Sequence, residues 1–267
     1  MYRHRVISTE ADSFIVCGVE RPLYSRAELP PDCAFCPNHI QSPMLDLRPT
    51  DALLVIDMQN DFLPGGPLAV PDGDTIIPGI NRLTRRFDHV ILTEDWHPGG
   101  HISFATAHEG KRPFVDTAEA AYGLQTLWPD HCLGGTPGAE IASALEVRSA
   151  ELILRKGFRK DIDSYSAFFE NDKTTGTGLA GFLRERGLTR LFFCGLAFDF
   201  CLGNSALDAA RLGFEAIVID DLTRSVGLAP SGDAPGTVEA MESAFAEAQI
   251  ERLTSIDILG PTAPGRA

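Results

Sequence analysis

The chain has 267 residues, 44% hydrophobic and 22% charged, which suits one large α/β domain or a domain with an appendage. Acidic residues outnumber basic ones by 37 to 23, and the formal net charge of −14 argues against nucleic acid or an anionic membrane as a partner. The longest apolar runs, such as 191–194 and 216–219, have strand length and fall far short of a bilayer. The short apolar stretch 14–19 follows acidic Glu10 and Asp12, so neither a spanning helix nor a secretory signal is expected, and the reading is a cytoplasmic protein.

Residues 1–43 are polar and punctuated by proline, with no sustained periodicity, and read as an extension ahead of a domain over 44–267. Cys33 and Cys36 form a Cys-x-x-Cys pair with Cys17 and His39 near it in sequence, a set that could hold structural zinc. Three other readings stand beside that one. The extension packs on the domain, it serves homo-oligomer contacts, or Met44 is the biological first residue.

From Met44 onward, strand and helix signals alternate. Ala52–Ile56 is continuously apolar, as expected for a strand covered on both faces. Ile76, Ile77, Ile80, Leu83 and Phe87 then recur at helical spacing, with Asp74 as the expected N-cap. Strands follow at Val90–Thr93 and Glu151–Leu154. Leu179, Phe182 and Leu183 mark a second helix, ended by Gly187. A strand at Leu191–Cys194, a helix through Ala206, Leu207, Ala210 and Leu212 stopped by Gly213, a strand at Ala216–Ile219 and a helix through Val238, Met241, Ala244 and Phe245 complete the pattern. Repeated β-α-β order predicts an α/β fold: a mainly parallel sheet flanked by helices on both faces.

Ligands of such sheets bind beyond the C-terminal strand ends. That places Asp57, Asp95, His97, Lys156 and Cys201 on one edge. Cys201, after Gly195 and at a helix start, has a position where free backbone N–H groups stabilise a thiolate and can hold an oxyanion. A buried structural thiol is the competing reading, and it suffices for Cys194. Asp57 either caps the turn after its strand or is functional, because an unpaired carboxylate there is costly. Lys156 either snorkels to solvent or is functional. Asp95, His97 and His101 in one short loop, with His131 further on, offer a carboxylate and imidazoles that suit one zinc, iron or manganese ion.

Five pieces in order resemble the nicotinamidase/pyrazinamidase branch of the isochorismatase-like cysteine hydrolases. They are Asp57-Met58-Gln59-Asn60-Asp61-Phe62; Thr93-Glu94-Asp95-Trp96-His97-Pro98 with His101, Ser103 and Phe104; Trp128-Pro129-Asp130-His131-Cys132 with Gly135-Thr136-Pro137-Gly138; Lys156-Gly157; and the segment around Cys201. The match runs from about Ala52 to Ile219. The resemblance implies an isochorismatase-like three-layer sandwich that hydrolyses nicotinamide, and pyrazinamide, to the acid and ammonia in NAD salvage. It assigns Asp57 as general base, Lys156 as the neighbouring cation and Cys201 as the nucleophile that forms a thioester. The oxyanion hole maps to the N–H groups of Ala197 and Cys201, with a cis peptide expected at Leu196–Ala197. Asp95, His97 and His131 match metal ligands, and His101 matches a position that is a ligand in some members. Phe62, Leu68, Trp128 and Tyr165 match the pocket around the ring. Two other readings remain: hydrolysis of another small amide or carbamoyl compound on the same fold, and a non-catalytic ligand-binding protein.

Overall fold

The computed structural model describes residues 44–260 apart from 147, 149, 231 and 233. Cys17, Cys33, Cys36 and His39 lie outside the described residues. The strands are β1 (Asp51–Ile56), β2 (His89–Asp95), β3 (Thr117–Ala120), β4 (Gly123–Thr126), β5 (Ala150–Lys156), β6 (Arg190–Leu196), β7 (Glu215–Arg224) and β8 (Glu251–Leu253). Six of them form one sheet in the order β5-β2-β1-β6-β7-β8, with every neighbouring pair parallel. β3 and β4 stand apart as an antiparallel hairpin.

The helices are α1 (Ile77–Thr84), α2 (Leu179–Glu185), α3 (Gly203–Arg211), α4 (Thr237–Ala248) and α5 (Ser255–Leu259). Side chains alternate across a strand, so the continuously apolar β1 feeds two cores. Leu53 and Val55 pack in the cluster that holds Ile77, Ile80 and Leu83 of α1. Ala52, Leu54 and Ile56 pack in the opposite cluster, with Leu183 of α2, Ala206 of α3 and Phe245 of α4. Burying each large apolar side chain contributes about 1.5–3 kcal/mol, so the covered central strands anchor the fold. Among the described residues, no helix is long and apolar enough to cross a membrane.

Two details correct the sequence expectation at α1. Asp74 is not its N-cap: it sits inside a 3₁₀ turn, Gly73–Ile76, that runs directly into the helix, and Ile76 takes the cap position. Pro78 in the first turn has no N–H to satisfy, which reduces the need for a capping side chain. Phe87 lies beyond the helix end and packs edge-on against Phe192 at 5.0 Å. The hairpin, β8 and α5 have no counterpart in the expected elements.

Register is what builds the site. Ile56 pairs with Gly195, Val55 with Leu92, and Asp95 with Lys156. The residues that end β1, β2 and β5 therefore meet at one edge of the sheet.

Candidate active site

Lys156, the last residue of β5, is completely buried rather than turned to solvent. Its Nζ lies 2.8 Å from Asp57 Oδ2 and 3.2 Å from Asp95 Oδ1. It also donates to Ser164 O at 3.0 Å and reaches Cys201 Sγ at 3.4 Å. Two fixed carboxylates explain why the ammonium stays inside: burial alone would lower its pKa, but Asp57 and Asp95 hold it well above the usual lysine range. Burial likewise works against ionisation of Asp95, yet His97 and Lys156 hold that carboxyl well below the usual carboxylate range.

Asp57 follows β1 in a left-handed conformation, with φ of 46°. Its Oδ1 accepts from Thr93 Oγ1 at 2.6 Å, and its own N–H donates to the same hydroxyl at 3.0 Å. This uses both roles of the threonine and fixes the carboxyl plane. Oδ2 accepts no hydrogen bond among the described residues, although Lys156 faces it as an ion-pair partner. A buried carboxylate oxygen with spare lone pairs therefore sits beside a thiol.

Cys201 is a free, buried thiol in a wide π-type turn, Phe198–Leu202, that leads into α3. Burial pushes it well above the usual cysteine range; Lys156 pulls the other way, and Asp57 and Asp95 add to the rise. The resting group is therefore the protonated thiol, which needs a base before it attacks. The Leu196–Ala197 peptide just before this turn is cis. Asp199, inside the turn, accepts from Val226 N–H, Gly227 N–H and Thr237 Oγ1 at 2.9, 2.8 and 2.6 Å. It thereby ties the turn to the loop that brings Val226 to the cleft.

Beside this group, Asp95, His97 and His131 bring one ligand atom each within 4.8 Å of one another. His97 Nδ1 is 2.8 Å from Gly157 O, and His131 Nδ1 is 2.8 Å from Pro129 O. A carbonyl only accepts, so each Nδ1 donates its proton there, and in the neutral imidazole that metal binding requires each Nε2 is left as the lone-pair atom. Those Nε2 atoms lie 2.9 and 3.6 Å from Asp95 Oδ2. His97 Nε2 is buried with no hydrogen bond among the described residues. Three buried electron-pair donors aimed at one another, each imidazole oriented by a backbone carbonyl, fit a divalent cation. His101 stands outside this trio. It stacks on His97 with ring centroids 4.0 Å apart and forms a second group with His97 and Asp163.

Gly157 makes the junction possible. Its φ is 67°, and a Cβ there would sit 2.6 Å from both Asp95 Oδ1 and His97 Cε1. Only glycine lets β5 turn away this close to β2.

Phe62, Leu68, Trp128 and Tyr165 all line a cleft that opens onto Asp57, Asp95, His131 and Cys201. Phe200, Val226 and Asp163 line it as well, none of which the sequence singled out. Phe200 packs edge-on against Trp128 at 4.9 Å and Tyr165 at 5.4 Å. Its place next to Cys201 was the one available signal. Val226 and Asp163 gave none, because only tertiary folding brings them to the cleft.

The profile described as Isochorismatase domain matches residues 51–248. The chain belongs to the isochorismatase family. It is 46% identical over 220 residues to a nicotinamidase of Acinetobacter baylyi, covering 81% of this chain and 100% of that protein. Among solved structures it is similar to the Acinetobacter baumanii nicotinamidase/pyrazinamidase, with 47% identity, a TM-score of 0.75 and coverage of 80% of this chain and 100% of that one. It is also similar to a pyrazinamidase of Pyrococcus horikoshii in complex with zinc, with 34% identity, a TM-score of 0.58 and coverage of 77% and 99%.

Proposed function

We propose that this chain is a cytoplasmic amide hydrolase that converts nicotinamide to nicotinate and ammonia, accepts pyrazinamide, and serves NAD salvage. The observation that carries this reading is that Asp57 Oδ2 and Cys201 Sγ flank one buried ammonium, Lys156, at 2.8 and 3.4 Å. The relatives named above support the substrate, being a nicotinamidase and a nicotinamidase/pyrazinamidase.

In this mechanism Asp57 takes the Cys201 thiol proton as sulfur attacks the carboxamide carbon. The carbonyl electrons move onto oxygen, and the backbone N–H groups of Ala197 and Cys201 hold that oxyanion. Asp57 returns the proton to the amide nitrogen, the C–N bond breaks, ammonia leaves and a thioester remains. Asp57 then takes a proton from water, whose oxygen attacks the thioester carbon. The C–S bond breaks as Asp57 passes its proton to the sulfur, and the nicotinic acid formed releases its own proton to solvent or to the ammonia as nicotinate. Lys156 faces Asp57 Oδ2 across the 2.8 Å ion pair and offsets the charge that develops on sulfur. Phe62, Leu68, Trp128 and Tyr165 enclose the ring and exclude water.

Asp95, His97 and His131 would hold one divalent ion, with His101 stacked behind His97. Zinc suits this donor set, and iron or manganese would also be accepted. When bound, the ion would supply a Lewis-acid anchor for the ring nitrogen, orienting the carboxamide.

The test is ammonia release from nicotinamide by the purified full chain, run beside Cys201→Ala. Release by the unaltered chain alone is expected. No release from folded, metal-loaded protein would sink the substrate, and equal release by the variant would sink the nucleophile.

A further inference from the structure

The candidate ligands come from two separate segments, Asp95 and His97 from the end of β2 and His131 from a later loop. We propose that Gln59 and Asp61 are positioning residues that set the spacing between these two segments and so determine how tightly the metal site closes. The inference rests on the metal site proposed above.

Gln59 is completely buried, and its amide is fully used. Its Oε1 accepts from Asp95 N–H at 2.7 Å, and its Nε2 donates to Asp95 O and to Ala139 O, each at 2.8 Å. The side chain thus grips both backbone groups of a ligand residue, as a neighbouring strand would. Its second amide hydrogen ties that residue to the loop after His131. A primary amide has two hydrogens, and both find carbonyl acceptors, so the assignment of nitrogen and oxygen is settled by the partners. No other side-chain type of this length supplies the same pattern: glutamate would aim oxygen at two carbonyls, and lysine would offer no acceptor.

Two residues on, Asp61 Oδ2 accepts from Cys132 N–H at 2.7 Å. Cys132 immediately follows His131 and has a φ of 46°, a conformation that a non-glycine residue keeps only when held. The held segment then joins the other ligand segment directly: His97 N–H donates to Cys132 O at 2.9 Å, and Gly134 N–H to His97 O at 2.9 Å. Gly138 leaves the space that Asp61 occupies, since a Cβ there would lie 2.2 Å from Asp61 Oδ1. Gln59 and Asp61 belong to one short turn after β1. That turn therefore reads the position of both ligand segments against the strand that carries Asp57.

The test uses the purified full chain stripped of metal, titrated with Mn²⁺ and read by the EPR signal of the free ion. Mn²⁺ prefers oxygen and imidazole donors, so it reports on this site rather than on thiols. Gln59→Ala, Asp61→Ala and Gly138→Ala are each expected to weaken Mn²⁺ binding roughly 10–100-fold, the usual cost of losing an outer partner of a metal ligand. Asp61→Asn retains an acceptor oxygen and should recover most of the loss. Leu183→Ala, in the core on the opposite face of the sheet, serves as the stability control: it should lower the melting temperature while leaving Mn²⁺ affinity unchanged. Gly138→Ala reaches the bond between Asp61 and Cys132 from a partly exposed loop and covers the case in which Asp61→Ala does not fold. Gln59→Glu keeps the volume but turns oxygen toward the carbonyls of Asp95 and Ala139, and it covers the case in which Gln59→Ala does not fold. Nicotinamide turnover by the variants should return toward the unaltered level at saturating Mn²⁺. Unchanged Mn²⁺ affinity in folded variants overturns the positioning role. Absence of stoichiometric binding by the unaltered chain overturns the metal site itself, and the positioning role with it.

Discussion

Lys156 and Asp57 form an ion pair of 2.8 Å whose side chains are 0% and 1% exposed. Such a pair gains little net stability when intact, because desolvation offsets the attraction, but breaking it strands a buried charge. Lys156→Met keeps the length and removes the charge, taking from Asp57 its ion-pair partner and from Asp95 one of its partners. The expected loss is about 3–5 kcal/mol in urea unfolding. Turnover of nicotinamide should fall by roughly 10²–10⁴-fold, the usual scale for disabling a general base. An unfolding midpoint equal to that of the unaltered chain would show that the pair is replaceable by packing alone.

Much of this site is legible before folding because buried parallel strands announce themselves. β1 and β6 are apolar on consecutive positions, and the polar residues after such strands stand out. Asp57, Lys156 and Asp95 are found that way. The histidines are found by their spacing, and the resemblance adds the pocket rings. What stays hidden depends on contacts between distant segments. Thr117–Ala120 alternates only through two alanines, and in Gly123–Thr126 the large apolar residue, Leu124, is exposed while Gln125 is buried, so their hairpin is set by pairing and not by an apolar face. Gln59 stands in plain view in the first motif, yet its partners are the backbone of Asp95 and Ala139, which no local pattern reveals. Lys156 could have reached solvent as far as the sequence goes; the register of β2 and β5, with Asp95 opposite it, keeps it inside.

Removing the metal should damage substrate positioning more than the fold. Treatment with a strong chelator is expected to lower kcat/KM for nicotinamide by about a hundredfold, the scale of a small misplacement of the reacting group. Adding back zinc or manganese should restore it. A bound ion also stabilises the folded chain, by about 2.7 kcal/mol at a hundred times its dissociation constant. His131→Ala should abolish both the recovery and the added thermal stability. Full activity in a demonstrably metal-free sample would remove the ion from the reaction.

Phe200 offers a separate check on the cleft. Its ring meets Trp128 at 4.9 Å and Tyr165 at 5.4 Å, both edge-on, in geometry worth about 0.5–1.5 kcal/mol per pair beyond area burial. Phe200→Leu keeps an apolar side chain but loses both aromatic contacts, so the two rings should lose their fixed orientation. Steady-state kinetics with nicotinamide should show a raised KM, by roughly tenfold for each 1.4 kcal/mol lost, with a smaller change in kcat. A fall confined to kcat would mean that Phe200 acts on the Cys201 turn instead of on the ring pocket.

Gly157 allows the cost of crowding the ligands to be separated from the cost of its backbone. Alanine at this position would adopt a φ of 67° and place its Cβ 2.6 Å from Asp95 Oδ1 and His97 Cε1. Gly187 has almost the same φ, 69°, but nothing lies within 4 Å of its would-be Cβ. Gly187→Ala should therefore cost only the left-handed conformation, about 1–2 kcal/mol in urea unfolding. Gly157→Ala should cost that amount plus the displacement of Asp95 and His97, and it alone should weaken Mn²⁺ binding, by about tenfold or more. The difference between the two variants measures the crowding, because the backbone contribution is common to both. Equal stabilities and equal metal affinities would mean that β2 and β5 move apart freely at this edge, and the close approach of Gly157 to the ligands would then carry no weight in the site.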